Sequence, residues 1–347
     1  MTTTTRASRP SLVDPQEPLG SGDSRVVYDL LPSELAGDAY AKLVEEVDWI
    51  KMLHRGGEVP RLVAQQGEII DEDGSYPIYR HPADESPPLL PFTPTVQLIR
   101  DHVQKVLNHP VNHVLIQHYR TGADYISDHS DKTIDINRHS FIVNVSLGAQ
   151  RVMTLRQKKD KNAREQERHA PSTPTSSTST DSTSHHTQPP PRPTQRIPLP
   201  DNSLFILGLE TNKKWLHGIS TDKRPLSTKT PVEQINNGAR ISLTFRWIGT
   251  FVNPTRNTIW GIGARAKNRE DAKTILDGTT NATGMKDAEN LITAFGEENF
   301  DPDFDWEKWY GEGFDVLHFK PGSKKSGGGV EGIPKGRIEG RGWRRAF

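Results

Sequence analysis

The tripeptide His129-Ser130-Asp131 constrains this chain more than any other stretch. Successive side chains of a β-strand alternate faces, so residues i and i+2 point the same way. His129 and Asp131 thus offer an imidazole and a carboxylate from one face of one strand. A second histidine, His217, lies far downstream, where a ligand from another strand would come from. After it, Arg240-Ile241-Ser242-Leu243-Thr244-Phe245-Arg246 alternates polar with apolar, so its two arginines share a strand face. A His-x-Asp tripeptide alone is common by chance, usually as a polar turn. The ordered set Tyr119, Gly122, His129, Asp131, His217, Arg240 and Arg246 is far harder to obtain that way.

Two histidines and one carboxylate with open coordination positions make the facial triad of non-haem Fe(II) oxygenases. Two inward arginines beside such a metal suit a dicarboxylate, because guanidinium meets carboxylate in a bidentate fork.

The surrounding pattern is mainly β with flanking helices. Val114, Ile116 and His118 oppose Leu115, Gln117 and Tyr119 across one strand, and Phe141 to Leu147, Val152 to Leu155 and Ser203 to Leu207 read as further strands. Pro32-Ser33 starts an amphipathic helix over 33–48, and Pro94 starts another to Leu107. Residues 59–82, with Gly67, Gly74 and Pro77, read as a hairpin.

Composition divides the chain. Residues 1–24 carry few large apolar groups and read as disordered. The core runs from 25 to 250, interrupted at about 158–195 by a charge run and a Ser/Thr/Pro tract that read as a disordered insertion. His185-His186 in that tract has no structural meaning by itself. An aromatic-rich extension over 251–320, with helical segments at 271–277 and 285–295, precedes a flexible basic tail, 321–347. Lys plus Arg and Asp plus Glu both total 44 in 347 residues, so no global basic excess marks a phosphate-binding protein. The chain has no cysteine, which excludes disulfides and thiolate metal sites. No apolar run approaches the roughly 18 residues that span a bilayer, and Met1 to Arg6 precedes no apolar signal core. These features lead us to expect an intracellular protein, nuclear or cytoplasmic, without a membrane partner.

Several segments carry a resemblance. Asn112 to Tyr119, Gly122 and His129-Ser130-Asp131 resemble the core of the AlkB family of Fe(II)/2-oxoglutarate dioxygenases. Ser140 to Gly148 is similar to its next strand, Trp215 to Ile219 to its distal-histidine segment, and Arg240 to Arg246 to its final arginine strand. Val59-Pro60-Arg61 and Tyr76-Pro77-Ile78-Tyr79 resemble the substrate lid of the eukaryotic repair members, and the similarity spans roughly 26–250. It implies a double-stranded β-helix (jelly roll) core using Fe(II), 2-oxoglutarate and O2. It implies His129, Asp131 and His217 as iron ligands. Arg240, aided by Tyr119, would take the distal carboxylate of 2-oxoglutarate, and Arg246 would lie near its keto-acid end. Leu115, Gln117 and Ser242 would complete that chamber, and Arg61, Tyr76, Tyr79 and Thr133 would face the substrate.

Three positions depart from the repair members. Gln117 and Ser242 stand where they commonly carry Asn, and Thr133 stands where they usually carry an acid facing the damaged base. The resemblance implies oxidative dealkylation of N-alkylated bases in DNA or RNA. Thr133 and the zero net charge favour the alternative, the same chemistry on a small metabolite.

Overall fold

The computed structural model describes residues 11–54, 57–82, 87–160 and 191–317. The expectations for residues 1–10, for 161–190 of the insertion and for the basic tail concern residues outside these. Among the described residues, no helix is long and apolar enough to cross a membrane.

Sixteen described strands follow the chain as β1 (Arg25–Val27), β2 (Ile50–His54), β3 (Gly57–Gly67), β4 (Tyr76–Pro77), β5 (Leu89–Pro91), β6 (His113–Tyr119), β7 (Ile126–His129), β8 (Ile142–Gly148), β9 (Arg151–Gln157), β10 (Thr194–Leu199), β11 (Ser203–Leu207), β12 (Trp215–Ile219), β13 (Arg240–Arg246), β14 (Thr250–Asn253), β15 (Thr258–Gly261) and β16 (Lys273–Thr274). The major sheet has the order β1-β11-β8-β13-β6-β3-β2, with β5 paired beside β3. The minor sheet has the order β10-β9-β12-β7. These two sheets form the jelly roll. A third sheet, β16-β15-β14-β4, is appended to it.

Alternation along the central strands divides them between two cores. On β13, Ile241, Leu243 and Phe245 join Val114 and Ile116 of β6 and Val143, Val145 and Leu147 of β8 in one buried cluster. Helices α1 (Ser33–Glu46) and α2 (Pro94–Leu107) cover this face with Ala39, Leu43, Val96, Ile99, Val103 and Leu107. Each fully buried Val, Leu or Ile among them contributes roughly 1.5–3 kcal/mol. The helix ends follow local chemistry: Pro94 opens α2, and Asn108 closes it in the left-handed region at φ 56. On the other face of β13 stand Arg240, Ser242, Thr244 and Arg246. Helices therefore support one side of the major sheet, and the minor sheet roofs the polar side.

Several expectations change in this frame. Residues 59–82 are not a hairpin. β3 pairs instead with β2 on one side and β6 on the other, while β4 joins β14 in the third sheet. The run Val59 to Gln66 fits the interior of a wide sheet, and Gly67 ends it. Residues 271–277 are not helical, because Lys273–Thr274 pairs with β15. Upstream of β1, Leu19 is buried and the Asp23 carboxylate accepts backbone N–H bonds from Glu210 and Thr211 in helix α3 (Leu209–Lys214). A helix N-terminus thus anchors a polar segment expected to be disordered. The insertion is narrower than 158–195, since Thr194 already pairs with Arg156 and Lys158 is buried.

A short connector helix, α4 (Pro231–Gln234), precedes β13; in the extension, beyond β16, lie α5 (Ala282–Phe300) and α6 (Trp306–Tyr310). Phe295, Phe304 and Tyr310 pack there against Ile134 of the core. Arg80 fastens this unit. Its guanidinium forms a buried pair with Asp135 at 2.7 Å and donates to the carbonyls of Phe314 and Gly263, each at 2.7 Å. Removing one partner of a buried pair strands the other charge, at a cost of roughly 3–5 kcal/mol. Arg80→Ala should lower unfolding stability by about that amount in urea titration.

Candidate metal and cosubstrate site

Register brings the two histidines together. β12 pairs antiparallel with β7 so that His217 stands opposite His129. Their rings lie 4.3 Å apart between centroids. Asp131, two residues beyond the β7 histidine, brings its Oδ1 to 3.6 Å from His129 Nε2 and 3.8 Å from His217 Nε2. The three ligand atoms all lie within 4.8 Å of one another. The Nδ1–H of His129 donates to the Ser127 carbonyl at 2.8 Å, leaving Nε2 as the free lone pair.

The electrostatics keep Asp131 and His217 in their ligating forms. Burial works to raise the Asp131 carboxyl, but the Arg246 guanidinium and the two histidines hold it well below the usual carboxylate range. Burial, and then the neighbouring His129, push His217 down to about 3, so its imidazole is neutral. An ionised carboxylate and neutral imidazoles are what a divalent cation requires. The donor set fits iron.

Arg246 does more than line a wall. Its Nε and Nη2 donate to Asp131 Oδ2 at 3.1 and 2.7 Å, and its guanidinium carbon lies 3.9 Å from the Tyr79 ring centroid. Only Nη1 is left without a partner. Arg240 is placed differently. Its Nη2 donates to Asn144 Oδ1 at 2.9 Å and Ser146 Oγ at 2.7 Å, while Nε and Nη1 are buried and unpartnered. Burial pushes it down to about 10, which leaves it charged at neutral pH. Two unsatisfied donors on one buried guanidinium fit a carboxylate fork. Tyr119 lies beneath, its ring centroid 5.2 Å from the Arg240 carbon and its hydroxyl donating to Gln117 at 3.2 Å.

His129, Asp131, His217, Arg240 and Arg246 line one cavity of about 760 Å³, together with Leu115, Gln117, Tyr119, Ser242 and Arg61. The other expected substrate residues sit elsewhere or work otherwise. Tyr76 belongs to a separate cluster with Val252 and Ile259 in the third sheet, because β4 pairs with β14. Tyr79 lines the cavity, but it is buried and its hydroxyl accepts the Lys132 backbone N–H at 3.0 Å, so it supports Arg246 and the ligand loop. Thr133 faces away, its backbone N–H and hydroxyl both donating to Glu298 of α5. Glu298 is itself buried and also accepts from the Tyr310 hydroxyl at 2.7 Å. An acid therefore does stand beside position 133, but it is bound up in structural bonds.

Asn212 gave no signal in the sequence. Its Oδ1 accepts the Asp131 backbone N–H, and its Nδ2 donates to the Asp131 carbonyl, both at 2.9 Å. That clasp fixes the metal loop from α3. A polar residue three positions before Trp215 is its only trace.

The chain belongs to the 2OG-Fe(II) oxygenase superfamily, whose model matches residues 23–246. Within that superfamily it is AlkB-like. DNA oxidative demethylase ALKBH2 of Homo sapiens is 29% identical over 158 residues, 46% of this chain and 48% of that protein. The Arabidopsis thaliana protein of the same name is 25% identical over 239 residues, 66% of this chain and 68% of its own. Alpha-ketoglutarate-dependent dioxygenase alkB homolog 3 of Bos taurus is 24% identical over 225 residues, 61% of this chain and 62% of its own. The chain thus spans about half the length of the human relative.

Groups that orient a metal ligand from behind typically change metal affinity 10–100-fold when removed. Asn212→Ala should therefore weaken Fe(II) or Mn(II) binding by roughly that factor while the circular-dichroism spectrum stays native, as checked by metal titration.

Proposed function

We propose that this protein is an Fe(II)/2-oxoglutarate-dependent dioxygenase that removes alkyl groups oxidatively from N-alkylated nucleic-acid bases. One observation carries the chemistry: the three converging ligand atoms and the unpartnered nitrogens of Arg240 open on the same cavity. The nucleobase part is supported by the relatives whose names describe oxidative DNA demethylation.

Bound Fe(II), with 2-oxoglutarate and O2, supplies the oxidant that hydroxylates a C–H bond, and 2-oxoglutarate leaves as succinate and CO2. His129, Asp131 and His217 hold the metal, and Arg246 keeps Asp131 ionised and aimed. Arg240 takes the distal carboxylate of 2-oxoglutarate in its free fork, over the Tyr119 ring. Leu115, Gln117 and Ser242 wall that chamber and exclude water from it. When the hydroxylated carbon is an N-methyl, its C–N bond breaks, formaldehyde departs and the nitrogen keeps the hydroxyl proton. An extruded base or a single strand is needed to bring such a carbon to the site.

A second reading, oxidation of a small metabolite, is favoured by the outer cavity wall. Ile292, Phe295 and Phe300 make that wall apolar rather than basic, and Thr133 offers no acid to a base edge.

The test is release of succinate and formaldehyde from a methylated single-stranded oligonucleotide, comparing wild type with His129→Ala. Equal amounts of both products are expected from wild type, and background from the variant. Succinate that no nucleic acid stimulates would move the assignment to a small metabolite. Succinate no higher than in the variant would end the enzyme reading.

A further inference from the structure

The family match ends at residue 246, yet the cavity is closed in part by residues beyond it. Helix α5 contributes Ile292, Phe295, Gly296, Asn299 and Phe300 to the lining. Ile292, Gly296 and Phe300 recur every four residues, so they form one stripe along one face of the helix. Phe300 is 51% exposed and Ile292 38% exposed, high for apolar side chains on a cavity wall. Between them Gly296 leaves a notch, since a Cβ built there would meet no atom within 4 Å. Ile292 and Phe300 lie about 12 Å apart along the helix axis.

The stripe is held rigidly against the metal loop. Asn299 Oδ1 accepts the Ser130 backbone N–H at 3.0 Å, and the Glu298 carbonyl accepts from Lys158 Nζ at 2.6 Å and Ser130 Oγ at 3.2 Å. A buried donor faces the same cavity. Arg61, 8% exposed, donates through Nη1 to the Tyr125 carbonyl at 2.8 Å, but its buried Nε has no partner. A buried donor left unpaired costs free energy unless something accepts from it.

We infer that the Gly296 notch of α5 is the substrate seat: it takes one planar heteroaromatic ring, held between Ile292 and Phe300, whose acceptor edge meets Arg61 Nε. This rests on the dioxygenase reading above and deepens it, by placing substrate selection on the C-terminal extension. Flat rings bind such a seat through apolar contact and stacking, whatever chain or small molecule carries them.

The test is anaerobic binding to the full-length protein loaded with Fe(II) and 2-oxoglutarate, so that no turnover intervenes. The probes are a methylated nucleoside, a methylated single-stranded oligonucleotide and the corresponding duplex. Gly296→Leu fills the notch with a strong helix former, so thermal stability should hold or rise while affinity for nucleoside and single strand falls about tenfold or more. Gly296→Ala should lose less. Arg61→Lys, which keeps the charge but changes the fork, should weaken binding of the same probes. Nucleoside binding as tight as the oligonucleotide's marks a free small molecule as the source of the ring. Preference for the oligonucleotide marks nucleic acid. Wild-type binding that Gly296→Leu leaves unchanged overturns the seat and leaves the dioxygenase reading standing. Wild type that retains 2-oxoglutarate but binds none of the probes overturns the heteroaromatic substrate itself.

Discussion

Asp131 is 5% exposed, and an ionised carboxylate that deeply buried is tolerable only with a charge partner and full hydrogen bonding. Arg246 supplies both from the far end of β13. The pair consequently spans the two sheets, joining the ligand loop of the minor sheet to the central strand of the major one. Tyr79 lies against the guanidinium, and Asn212 clasps the Asp131 backbone from behind. None of these groups need touch a substrate. Together they hold one carboxylate oxygen toward two imidazoles while the other is occupied by the arginine.

The two arginines of one strand thereby have separate tasks. Arg246 has most of its donors committed before any small molecule arrives. Arg240, six residues earlier on the same face, is kept partly unsatisfied, with two nitrogens still able to donate. The difference arises from neighbours: a carboxylate stands beside Arg246, whereas Arg240 meets the amide of Asn144, the hydroxyl of Ser146 and the ring of Tyr119. Period-2 geometry aims both side chains; the adjacent strands β6 and β8 surround Arg240, and the loop after β7 brings Asp131 to Arg246.

Much of this was legible in the sequence because it depends on short-range pattern. Alternation over Leu115 to Tyr119 and Arg240 to Arg246 gave the strand faces. The His-x-Asp spacing and the downstream His217 pointed to the three residues that the fold brings together. What escaped depends on contacts between distant segments. Tyr76 and Tyr79 are close in sequence, yet one belongs to the third sheet and the other to the metal site, a division made by the pairing of Tyr76 with Val252. Strand β2 was hidden because Trp49-Ile50-Lys51-Met52 carries no turn signal before it. Asn212 and Glu298 are ordinary helix residues by pattern, and only the folded chain sets them against Asp131 and Thr133. Composition alone also misjudged residues 11–24, since nothing local shows that Asp23 caps a helix nearly two hundred residues away.

The bonds from Ser130, Thr133 and Lys158 to Glu298 and Asn299 also bear on how the protein is made. During synthesis the chain emerges from its N-terminus, and sequence-distant contacts must wait for their second member. His129, Asp131 and His217 are all present long before α5 appears. Until Tyr310 has emerged, the ligand loop lacks its backing and Ile134 lacks the apolar cover of Phe295 and Phe304. On the ribosome the site thus stays without its backing until α5 and α6 have emerged. A gene fragment cut at the family boundary would reproduce that nascent intermediate, with an exposed apolar face and an unsupported ligand loop.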